Sequence, residues 1–235
     1  RKLERTRPYW VGHDVVAVIL HHLARDGPGD VVHRDRVEET RPRVLEAELD
    51  RVAVEHAAGR LKIVAQSNHP SLRVAIKLAQ ANVKAGADVV SLAVPRIFSL
   101  PESSLKQYLS EFLQSIPHTP VLIQDFNPGG SSISVEFIKE LMDENPNFKY
   151  LKLEEPLCAP KFESIIKATK GKVGLFEGWG GLYMLELVPI GIRGVMPGLA
   201  VSDILQRVFD LRRSGEDTKA FDLFEKVMPQ CASFE

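Results

Sequence analysis

The stretch Asn147–Pro156, NFKYLKLEEP, has the form of a short buried strand with one lysine where an apolar residue is expected. Side chains on a strand alternate faces, so Tyr150, Lys152 and Glu154 share one face and Leu151 and Leu153 the other. A lysine and a glutamate side by side on a core-facing strand are costly unless they have a task. Burial disfavours the charged form of an amine, and an uncharged amine attacks a carbonyl carbon. The resulting imine withdraws electrons and so assists the making or breaking of a neighbouring bond. The plainer alternative is an edge strand that leaves Lys152 in solvent.

The elements around this stretch favour the first reading. From residue 61 onward, apolar strands alternate with amphipathic helices at least six times, at about 25 to 30 residues per unit. Strands are expected at Leu61–Ala65, Val89–Val94, Pro120–Gln124, Asn147–Pro156, Val173–Phe176 and Gly194–Met196. Helices are expected at Leu72–Ala85 (closed by Gly86), Pro101–Ser115, Ser134–Met142, Lys161–Lys170, Leu182–Leu187, Ser202–Ser214 (with Ser202 as N-cap) and Asp217–Met228. The strands are apolar throughout, as in a parallel sheet covered by helices. An open doubly wound sheet and a closed barrel both satisfy this pattern. The absence of GxGxxG and GxxxxGK[ST] weighs against nucleotide-binding versions, and the number of units favours a (β/α)8 TIM barrel with C-terminal helices.

The first 60 residues differ in composition. Lys2 is the only lysine there, and five of the seven histidines (His13, His21, His22, His33, His56) fall there. Helices are expected at Asp14–Arg25 and Leu45–Ala58, with the charged stretch Asp30–Thr40 between them. The division is therefore residues 1–45 as an atypical or incomplete N-terminal segment, part of the barrel or extraneous. Residues 46–214 are barrel units, and 215–235 begin a C-terminal helical region.

A net charge of −1 offers no basic surplus for nucleic acid. No apolar run reaches membrane-span length, and RKLERTRPYW is no secretory signal. Cys158 and Cys231 show neither metal-ligand spacing nor a disulfide framework. A soluble cytoplasmic protein without metal or cofactor is expected.

In barrels of this kind the functional groups lie at the C-terminal strand ends. Those ends hold Gln66–His69, then Pro95 and Arg96, then Gln124–Phe126, then Lys152, Glu154 and Glu155. Glu177–Gly181 and Met196–Gly198 complete the series.

From about Ala47 to its end, the chain resembles the dihydrodipicolinate synthase and N-acetylneuraminate lyase family of Schiff-base lyases. AIKLAQANVKAGADVVSLAVP resembles that family's third helix and fourth strand, and NPNFKYLKLEEP its strand bearing the Schiff-base lysine, here Lys152. GLFEGWGG resembles the seventh-strand end with its small glycine, Gly178, and GIRGVMPGLA the eighth strand, with Met196 and Gly198 near the imine. The resemblance implies a (β/α)8 barrel assembled as a homodimer or homotetramer.

The chain also departs from that family. Gln124 stands where the family's relay tyrosine is expected, and Arg96 or Ile97 where a second tyrosine is expected. The family's Gly-Thr-Thr-Gly-Glu turn would fall near VEETRP at 37–42 and is not recognisable. Glu154 is the candidate to replace the tyrosine as proton carrier, unless it points away or caps the next helix. Arg96 is a carboxylate clamp or a surface arginine, and Asp125 an orienter of Gln124 or of a substrate hydroxyl, or a plain loop residue. The expected chemistry is aldol cleavage, condensation or dehydration of a 2-oxo acid such as pyruvate through Lys152. The alternative is a catalytically impaired barrel acting as a binding or scaffold protein.

Overall fold

The structure, a computed structural model, describes residues 17–19, 51–96, 100–126, 132–197 and 201–232, with side chains excepted at 17–19 and 230–232. Its centre is a sheet of seven parallel strands hydrogen-bonded in chain order. They are β1 (Ala17–Ile19), β2 (Lys62–Gln66), β3 (Val89–Ala93), β4 (Val121–Phe126), β5 (Phe148–Glu154), β6 (Gly174–Glu177) and β7 (Gly194–Val195). Helix α1 covers 51–57. Between and after the later strands run α2 (Leu72–Ala85), α3 (Glu102–Ser115), α4 (Val135–Glu144), α5 (Ala159–Thr169), α6 (Met184–Leu187), α7 (Ser202–Arg213) and α8 (Asp217–Ala232). Parallel neighbours in strict chain order, each joined through a helix, trace the path of a (β/α)8 barrel, with α7 and α8 as C-terminal helices.

Local sequence explains most element ends. Gly86 takes the left-handed conformation (φ 97°) that lets its amide reach back to the last carbonyls of α2. The Ser134 hydroxyl accepts from the Phe137 amide and so caps α4. At α7 the cap position is held by Val201, and Ser202 is instead the first helical residue, buried against its neighbours.

One expectation is overturned. Residues 17–19 lie within the expected helix Asp14–Arg25 but form β1, paired in parallel with Lys62–Val64 of β2. The run VVAVIL is rich in β-branched residues, and pairing along the edge of β2 outweighs its clear helical pattern. The rest of that segment, the stretch 30–40, the start of Leu45–Ala58 and the VEETRP turn lie outside the described residues.

Strands β2 to β7 send alternate side chains to two environments. Val90, Leu92, Val94, Val121, Ile123, Leu151, Leu153, Leu175 and Val195 face the helices and join the larger core, which includes Phe112, Phe137, Phe162 and Phe209. Each such buried side chain contributes roughly 1.5–3 kcal/mol. Val64, Val89, Leu122, Phe176 and Met196 form a second, smaller core on the other face, with Tyr150 packed against it. The Tyr150 and Phe176 rings meet edge to face at 5.8 Å.

Candidate active site

The inner face of β5 carries Tyr150, then Lys152, then Glu154. Register places Lys152 beside Gln124 on β4 and Phe176 on β6. Leu122 and Tyr150 lie one residue pair below the lysine, and with Phe176 beside it they belong to the apolar group that floors and walls this position. Lys152 is only 6% exposed. Its Nζ lies 2.9 Å from Glu154 Oε1, and the same oxygen accepts from Gln124 Nε2 at 2.6 Å. Lys152, Glu154 and Gln124 are thus brought together in direct contact. Glu154 points toward the lysine rather than capping α5.

Gly178 makes this arrangement possible. A methyl group at its Cα would overlap Glu154 Cγ and come within 2.7 Å of Lys152 Cε. Its φ lies outside the left-handed region, so the demand for glycine here is steric. Met196, 6% exposed, packs in the same inner apolar cluster as Phe176. Gly198 falls outside the described residues.

Asp125 and Arg96 behave differently. β4 runs two residues further than its apolar pattern suggests, through Phe126. Strand alternation therefore turns Asp125 to the face opposite Gln124. Asp125 is fully buried, accepting from the Ile133 amide at 2.6 Å and from Arg96 Nη2 at 2.7 Å. It holds the start of α4 and ties down Arg96, and it does not orient Gln124. Asn68 and His69 likewise serve the local chain. Asn68 Oδ1 accepts from the Ala93 amide, and His69 Nδ1 from the Ser71 amide.

At the next position along the mouth, Glu155 meets Ser132 and Lys161, the latter at 3.0 Å. Burial pushes the Glu155 carboxyl up, but the hydrogen bonds from Ser132 and Lys161 outweigh it and hold it below the usual range. The Cys158 thiol is buried and pushed up to about 12 by desolvation and by the nearby Glu177 carboxylate, so it is a poor nucleophile.

Glu177 stood among the strand-end residues without a role, and the structure provides one. It is fully buried, accepting from the Trp179 amide at 3.0 Å and from the Gly181 amide at 2.8 Å. Its signal in the sequence is an acidic residue directly before GWGG, a loop rich in free amides. Among the described residues, no group of three or more His, Cys, Asp or Glu is placed to hold a metal. No helix among them is long and apolar enough to cross a membrane.

Comparison with known proteins agrees with this architecture. The sequence profile of the dihydrodipicolinate synthetase family matches residues 45–233. The chain belongs to that family. An L-2-keto-3-deoxyarabonate dehydratase of Azospirillum brasilense is 24% identical over 185 residues, 77% of this chain and 60% of that protein. An N-acetylneuraminate lyase of Clostridium perfringens is 23% identical over 176 residues, covering 73% of this chain and 59% of the lyase. The chain thus spans about three-fifths of the length of these family members. Among solved structures, the family's enzyme from Cyanidioschyzon merolae with lysine bound superposes with a TM-score of 0.74 at 23% identity, over 81% of this chain and 65% of that one. A prophage protein of the family from E. coli K12, in complex with pyruvate, gives 0.72 at 20% identity, over 79% and 63%. Both carry the same barrel fold, and seven of this chain's strands lie among its described residues.

Proposed function

We propose that this chain is a Schiff-base-forming lyase acting on pyruvate or a related 2-oxo acid through Lys152. The observation that carries the reading is the buried Lys152–Glu154 contact of 2.9 Å, set above an apolar floor and made possible by Gly178. Family membership supports it, as does the pyruvate found with the E. coli relative.

The steps follow from the residues in contact. Lys152 passes a proton to Glu154 and its amine attacks the 2-oxo carbon. Glu154 returns a proton to the carbinolamine hydroxyl, which leaves as water, and the imine forms. The Glu154 carboxylate, free again, takes a proton from the adjacent carbon to give an enamine. It returns that proton to the aldehyde oxygen as the enamine adds to an aldehyde or, on a keto-deoxy sugar acid, to the next hydroxyl as it leaves as water. Gln124 has no proton to relay at neutral pH; it holds Glu154 Oε1 toward the amine instead. Arg96 gives one N–H group to Asp125, which leaves further guanidinium donors for a substrate carboxylate. The reading includes a cytoplasmic homodimer or homotetramer.

Borohydride reduction in the presence of pyruvate, or of several other 2-oxo acids, tests this directly. Mass spectrometry should locate a reduced adduct on Lys152. No adduct with any of them would remove the lyase reading and leave a barrel that binds without turning over.

A further inference from the structure

The acid that the steps above do not use is Glu177, at the end of β6. It lies on the strand face opposite Phe176, yet the turn it holds leads straight to the reacting pair. Both carboxylate oxygens accept backbone amides, Trp179 on one and Gly181 on the other. The turn has glycines where its backbone is left-handed, with φ of 60° at Gly180 and 91° at Gly181. Inside it sits Gly178, whose amide donates to the Leu153 carbonyl of β5 at 3.1 Å. The Glu177 carbonyl accepts from the Met196 amide at 2.9 Å, so the same residue also ties to the end of β7.

We propose that Glu177 is a positioning residue for Lys152: its carboxylate clamps the 178–181 turn so that Gly178 lies flat against Lys152 and Glu154. This rests on the lyase reading above, and adds to it a residue that never touches substrate. The ionised carboxylate accepts two amides at full strength. Protonation converts one oxygen to a hydroxyl, weakens that acceptor and loosens the turn. Burial pushes the carboxyl up to about 7, against the pull of the Gly181, Trp179 and Tyr183 amides and the charge of Lys152. The titratable groups that face it are Lys152 on β5 and the Cys158 thiol ahead of α5, with Glu186 on α6 beyond that thiol. The clamp is therefore expected to tighten as pH rises through neutrality.

The test measures the rate of pyruvate adduct formation on Lys152 from pH 5.5 to 9 in the full chain, for wild type, Glu177→Gln and Glu177→Asp. Wild type should show an inflection near 7. Glu177→Gln should lose it, falling roughly 10- to 100-fold below wild type at high pH while approaching it at pH 5.5, the scale of a small misplacement at a reacting centre. Glu177→Asp should keep an inflection, displaced from the wild-type position. A Glu177→Gln profile that matches wild type overturns the proposal. If that variant fails to fold, an Asp profile with an unmoved inflection overturns it instead. Should wild type form no adduct, the lyase reading fails, and amide exchange at Trp179 and Gly181 decides the clamp separately. Those amides should be better protected above pH 7 than below it, after correction for intrinsic rates. Protection that does not change with pH would sink the clamp.

Discussion

The two faces of the same strands both hold buried carboxylates, and they use them in opposite ways. On the inner face Glu154 meets a lysine amine and a side-chain amide. On the helix-facing side Asp125 and Glu177 meet backbone amides of the loops that follow their strands, with Arg96 as a further partner of Asp125. A buried charge must find partners in either place. Side-chain partners leave a proton free to move between groups of similar reach. Backbone partners hold chain geometry and move nothing. Adjacent residues such as Gln124 and Asp125 thus fall into different trades merely by the alternation of a strand.

The contrast can be broken most severely at the amine. Lys152→Ala should abolish the borohydride-trapped adduct and reduce turnover by roughly 10⁴- to 10⁶-fold, the range for deleting the nucleophile of a working unit. Next comes its proton partner: Glu154→Gln keeps the shape but removes the base, and turnover should fall roughly 10²- to 10⁴-fold with the fold intact by circular dichroism. A rate within a few-fold of wild type would remove Glu154 from the chemistry. Gly178→Ala should act on geometry alone. It should displace the pair, slow adduct formation roughly 10²-fold and cost about 1–3 kcal/mol in denaturant unfolding, as overpacking does.

The last effect belongs to the outer face and is read in stability alone. Glu177 titrates near 7 in the folded chain against an ordinary value of 4.5. Between those values the unfolded chain binds fewer protons than the folded one, so stability falls as pH rises from 4.5 through about 7. The loss is on the order of 3 kcal/mol, and it should shrink in Glu177→Gln when thermal unfolding is compared at pH 5 and pH 8. The charged form that best clamps the turn is therefore the one that costs the fold most, a balance familiar at functional sites.

The strand–helix rhythm after residue 61 was legible because buried parallel strands are apolar runs of a set length, and helices between them show their stripe. Lys152 and Glu154 were legible as a pair because strand period is two. β1 was not, since VVAVIL suits a helix or a strand until β2 offers an edge. Asp125 was left open between an orienting and a plain loop role because β4 continues beyond its apolar stretch. Glu177 was named at a strand end but given no role, because its partners are backbone amides, which leave no mark in side-chain identity.

Order of elements, strand faces and the presence of one amine among apolar walls are local properties, set by residue period and polarity along the chain. Whether that amine meets a carboxylate at 2.9 Å, and whether a glycine must lie against both, depends on strands far apart in sequence taking one register. Register arises from the packing of two cores at once, so only the folded chain decides it.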